Sequence, residues 1–130
     1  MKEQLALETV LYGVLDAQIN DMPFYSGVAP EGAQKPFILA QFISSNDITC
    51  QWSTKMGVEM MYRIEVFKEG ESFPFSESES VDELISGYSG VSNDCTVDIA
   101  RDHVVSLHDS FDGHEIRRSG AVYKIIVRRN

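Results

Sequence analysis

The densest gathering of side chains able to do chemistry is His108-Asp109-Ser110-Phe111-Asp112-Gly113-His114. Imidazole and carboxylate are ordinary ligands of zinc or manganese, so His108, Asp112 and His114 form a candidate metal site. Their spacing fits no standard ligand motif, and Asp112-Gly113 accounts for itself as a hairpin turn between two strands. The turn is the favoured reading. No Gly-x-Ser-x-Gly elbow marks a serine hydrolase, and no glycine-rich loop is patterned to cradle phosphate. Cys50 and Cys95 fit no CxxC pattern and no catalytic Cys-His signature, and they read as two reduced thiols. Glu77, Glu79, Asp82 and Glu83 cluster near the start of a helix, where negative charge is favoured by the helix dipole. No catalytic residue, cofactor or enzyme activity is expected.

Composition narrows the function classes further. At 130 residues the chain fits one domain, residues 1–130, able to bury a core without disulfide or metal staples. The longest apolar runs fall well short of the roughly 20 residues that cross a bilayer. The glutamates of Met1-Lys2-Glu3-Gln4-Leu5-Ala6-Leu7-Glu8 stand where a signal peptide needs unbroken apolar sequence. A cytosolic protein, or one assembled in a cytosol, is therefore expected. A net charge of -9 argues against a nucleic-acid reader, which would carry a basic face. The charge is also unevenly placed. From Glu69 to Glu115 there are twelve acidic residues and one basic residue, Arg101; after Glu115 come Arg117, Arg118, Lys124, Arg128 and Arg129 with no acid. Either this is a solvated acidic helix with a basic last strand, or it gives the molecule oppositely charged surfaces suited to head-to-tail contacts between copies.

The elements that must position these residues follow from periodicity. Leu7, Val10, Leu11, Val14 and Leu15 recur at helical spacing and predict an amphipathic helix from about Glu3 to Gln18, weakened at Gly13 and stopped by Asn20-Asp21-Met22-Pro23. Gly27, Pro30, Gly32 and Pro36 then force a turning path into a buried, central strand from Phe37 to Ser44. Residues from Ser45 to Met56 are polar and unpatterned apart from Trp52, and read as a long loop of functional interest. Val58 to Phe67 alternates as a strand, with Val58, Met60, Tyr62, Ile64 and Val66 on one side and Glu59, Arg63 and Glu65 on the other. Ser80 with Glu83, or Ser76 with Glu79, has capping-box spacing for a second helix whose stripe is Val81, Leu84, Ile85 and Tyr88. Gly87 and Gly90 are expected to end it. Strands near Thr96 to Ile99, from Val104 to Ser110, and from Glu115 to Val127 complete the chain. The expected class is α+β, a largely antiparallel or mixed sheet with the N-terminal and second helices packed on it.

Apolar side chains in the expected loops point to interaction. Trp52 lies in the long loop, Phe73 and Phe75 flank Pro74, and Met22, Phe24 and Tyr25 follow the first helix. Aromatic residues and methionine are enriched where proteins meet. With Arg128 and Arg129 of the basic last segment, Trp52, Phe73 and Phe75 make up the candidate interaction residues.

Over nearly its whole length the chain resembles the tail terminator, or tail completion, proteins of long-tailed bacteriophages. The likeness is carried by an N-terminal helix (Leu5 to Ile19), the Tyr25-Ser26-Gly27-Val28-Ala29-Pro30 turn and the Pro36-Phe37-Ile38-Leu39 strand start. It continues through the Asn46 to Met56 loop, the strand Met61-Tyr62-Arg63-Ile64-Glu65-Val66-Phe67 and the helix Val81 to Tyr88. Strands around Val104-Val105-Ser106-Leu107 and Gly120-Ala121-Val122-Tyr123-Lys124-Ile125-Ile126-Val127 close it. The order and spacing of these motifs carry the resemblance, not any one of them. It implies a mixed α/β domain, no cofactor, and a structural role in the virion tail or neck, assembled in the host cytoplasm. Such proteins form a ring, typically of six subunits, on the head-proximal end of the tail tube. The ring stops tube polymerisation, presents a surface to the head–tail connector, and lets DNA pass without specific binding. The same plan fits a neighbouring neck protein, such as another head–tail connector or minor tail subunit. A pore for DNA benefits from an acidic wall, which repels phosphate; part of the acidic stretch from Glu69 to Glu115 is therefore expected to line it. The loop with Trp52 is expected to touch the tube or a neighbouring subunit.

Overall fold

A computed structural model describes residues 2–16, 22–33, 36–49, 55–70, 72–111 and 114–129, of which 16, 55, 107–111 and 114 are described through the backbone alone. It is an α+β fold: two helices on a six-stranded, mixed, curled sheet. In chain order the elements are α1 (Lys2–Leu11) with a π-helical continuation (Tyr12–Asp16), β1 (Phe24–Ser26), β2 (Phe37–Thr49), β3 (Lys55–Glu69), α2 (Phe75–Ile85), β4 (Ser89–Ser92), β5 (Cys95–Phe111) and β6 (His114–Arg129). The strand order is β1-β2-β3-β6-β5-β4; β1 runs parallel to β2, and every other pair is antiparallel.

One face of the sheet carries the core. Leu7, Val10, Leu11 and Leu15 from the first helix and Val81 and Ile85 from α2 pack on Val58, Met60, Tyr62, Ile64 and Val66 of β3. Tyr123, Ile125 and Val127 of β6 extend that surface, so the expected helical stripes and the β3 alternation are both present. Around Gly13 the first helix widens from α to π, which shortens the regular part to Lys2–Leu11. Gly120 allows β3 and β6 to approach closely: a Cβ there would lie 2.1 Å from the Ile64 carbonyl oxygen.

Several expectations are corrected. Ser45 to Met56 is not one loop. β2 continues to Thr49 and β3 begins at Lys55, with Asn46 opposite Glu59 and Asp47 opposite Val58. Residues 42–47 are exposed, so this length of hairpin needs no apolar pattern and shows none. β2 is central only at its start, because β1 pairs with Ile38, Leu39 and Ala40 alone. The two short strands expected from Thr96 to Ser110 are one strand, β5, kept continuous across polar residues by its pairing to β6 and bent by a register shift between Arg101 and His103. Met22 and Phe24 are not loop residues displayed to partners; both are buried, and Phe24 sits in β1. Neither capping box is used. α2 starts after Pro74 with no side-chain cap, and Ser78 and Ser80 donate instead to the carbonyls of Phe75 and Ser76. Gly87 ends α2 at φ +81° as expected, whereas Gly90 belongs to β4. The β4–β5 hairpin turns on Asn93 and Asp94, both left-handed. Phe111 faces His114 across the Asp112-Gly113 step, whose two residues lie outside the described ones.

Candidate interaction surface

The basic residues after Glu115 do not form a free positive patch, because β3, β5, α1 and the bend after β3 supply a partner for each. Lys124 lies 3.6 Å from Glu59 on β3, and Arg128 lies 3.5 Å from Asp98 on β5. Arg129 donates to Glu3 Oε1 at 2.8 Å, and this pairing holds a carboxylate that is 1% exposed. Arg118 lies 3.6 Å from Glu65, which is equally buried and also faces Arg63 at 4.0 Å. Arg117 donates to the Gly70 carbonyl and covers the Phe73 ring. Positive charge is spent inside the subunit. Glu79 and Glu83 on α2, by contrast, make no ion pair among the described residues and leave that side of the molecule acidic.

A groove of about 290 Å³ runs between α2 and the β5–β6 hairpin. Its floor is β6, with Ser119, Ala121 and Tyr123; one wall is α2, with Phe75, Ser78, Glu79 and Glu83; the other is β5, with Arg101 and Val104. Two networks tie the walls to the floor. Tyr123 donates its phenolic hydrogen to Asp82 Oδ1 at 2.8 Å, and Arg101 Nη1 donates to Asp82 Oδ2 at 3.2 Å. Nearer the start of α2, the Ser78 and Ser119 hydroxyls meet at 3.2 Å, and Ser106 donates to Ser119 at 3.5 Å. Burial first, then the hydrogen bond to the Asp82 carboxylate, hold the Tyr123 phenol far above the usual tyrosine range. Tyr62 is also raised, by burial and then by the Glu8 charge. Both tyrosines are neutral and structural at physiological pH. The groove is hydrogen-bonded in its polar parts and apolar at its mouth, where Phe75 and Val104 stand more than half exposed.

The expected interaction residues divide by position. Phe73 and Phe75 stack at 5.3 Å between centroids at the head of α2, the first half-buried beneath Arg117 and the second outside. Arg128 and Arg129 end β6 at the opposite end of the sheet, exposed but each bonded within the chain. Tyr25 packs edge-on against Phe37, which stacks on Phe67. Trp52 and Cys50 lie outside the described residues, whereas Cys95 is a buried free thiol. Of the candidate metal site, the backbone sets His108 opposite Arg117 and His114 opposite Phe111. Asp112 lies outside the described residues, as do the two histidine side chains. Among the described residues, no cluster of three or more His, Cys, Asp or Glu side chains could hold a metal ion.

Two sites went unseen in the sequence because they are backbone features. Beyond Ala40 nothing among the described residues pairs with the outer edge of β2, and beyond Ile99 nothing pairs with the outer edge of β5. The bare lengths are residues 41–49 and 100–111. Phe42 and Ile43 on the first and Val104 on the second are exposed apolar side chains. Such an edge is a template for a further strand. Among the described residues, no helix is long and apolar enough to cross a membrane. Comparison with known proteins finds neither a family model nor a curated protein that matches the chain.

Proposed function

We propose that this chain is a tail terminator of a long-tailed bacteriophage: a structural protein that forms a ring on the head-proximal end of the tail tube, ends its polymerisation and offers the joining surface to the head–tail connector. The observation that carries the reading is the order and spacing of its sequence motifs, from the Tyr25-to-Pro30 turn to the Gly120-to-Val127 strand. The α+β sheet with helices on one face agrees with the fold that this resemblance implies. The bare edges at both margins of the sheet suit a subunit made to meet copies of itself. In this reading the ring is a hexamer in the virion neck, works without a cofactor and catalyses nothing. DNA passes it unbound, beside acidic residues such as Glu79 and Glu83.

Addition of the purified chain to the cognate tube protein during polymerisation tests this directly by electron microscopy. The expected result is tubes capped at one end and arrested in growth. Tubes that lengthen normally with bare ends contradict it.

A further inference from the structure

Resting on the ring reading, we propose that the subunits join by strand addition, the bare edge of β2 in one copy pairing with the bare edge of β5 in the next. The two edges lie at opposite margins of the same sheet, so a contact between them is head-to-tail and leaves each copy one free edge of each kind. Their directions match. β2, β3, β6 and β5 alternate in direction, so β2 and β5 run oppositely, and copies that follow one another in the same orientation meet as an antiparallel pair. The bare part of β2 is the shorter of the two and allows on the order of 30 Å of pairing at about 3.3 Å per residue. They sit at opposite ends of the sheet, because β1 covers the start of β2 and β4 covers the start of β5. Successive copies are therefore staggered along the strand, with β1 and β4 as end stops.

Charge disfavours one of the like-edge pairings. Pairing β5 with β5 would bring two acidic α2 rims together, Glu79 and Glu83 of each. Pairing β2 with β5 covers Phe42, Ile43 and Val104 and leads the apolar mouth of the α2 groove toward the incoming hairpin.

Ile43→Lys and Val104→Lys test the contact, since both positions are exposed and each change marks one edge with a charge. Circular dichroism checks that both variants fold, and light scattering reads their mass against the unaltered chain. Each variant alone is expected to fall to a monomer. Mixed one to one, they are expected to give a dimer and nothing larger, because one partner keeps its β2 edge and the other its β5 edge. Loss of assembly in only one variant, with no rescue on mixing, would show a like-edge contact and overturn the inference. Wild-type mass in both variants would place the contact elsewhere and leave the ring reading standing. An unaltered chain that stays monomeric up to millimolar concentration overturns the inference too. Whether it still caps tube ends then decides the ring reading separately.

Discussion

β2 and β5 each have a covered half and a bare half, and the same strand obeys different rules in the two. In the covered half of β2, Phe37, Ile38, Leu39 and Ala40 are all buried; past Gln41 the strand is exposed through Asp47. In β5, Cys95, Val97 and Ile99 are buried, whereas residues 100–104 are exposed. The covered halves are specified by side chains, through the helices and the core. Pairing to β3 and β6 holds the bare halves, so they tolerate polar sequence such as Ser44-Ser45-Asn46. Mutations in the covered region should therefore act on stability, and those in the bare region on association.

The contrast is sharpest at the closest strand approach. Gly120→Ala puts a methyl group into the Ile64 carbonyl and should cost about 3 kcal/mol in urea unfolding. A loss below about 1 kcal/mol would mean that β3 and β6 can part freely. Ile125→Ala, at a fully buried position between β3 and β5, should cost about 2–4 kcal/mol by the same measurement. Glu65→Ala comes next, at about 1–2 kcal/mol, because Arg63 and Arg118 are partly exposed and regain water when the carboxylate is lost. Asp94→Gly should stabilise by about 0.5 kcal/mol, since φ +61° in this hairpin turn suits glycine better.

The covered half also carries a pH signature. Tyr62 and Tyr123 have folded-state pKa values raised above the unfolded value, so the folded chain keeps their protons where the unfolded chain releases them. Their contribution to stability is whole below about pH 10 and declines as pH rises above it. Phenolate absorbance should therefore show Tyr62 and Tyr123 ionising only as the chain unfolds. Tyr123 ionising reversibly near pH 10 in the folded protein would contradict its burial against Asp82.

What could be read from the sequence follows the same division. Val58 to Val66 and Val81 to Tyr88 announced their elements because one face of each meets the core and the other does not. The bare hairpin halves have no such asymmetry, so Ser45 to Thr49 read as loop although it is strand. β1 and β4 were invisible for another reason: each is short and exists only through pairing with residues distant in sequence or across a tight turn. The basic block after Glu115 was plain in the sequence, but its neutralisation by Glu3, Glu59, Glu65 and Asp98 depends on sheet order. Phe75 was legible as an exposed aromatic; the bare edges of β2 and β5 were not, since an unpaired edge is a property of the backbone.

In the proposed role this chain assembles with itself into a closed ring. Light scattering of the purified protein across concentration and ionic strength measures that most directly. The expected mass climbs with concentration and stops at six subunits. A mass fixed at one subunit under every condition, together with no binding to tube ends, would contradict it.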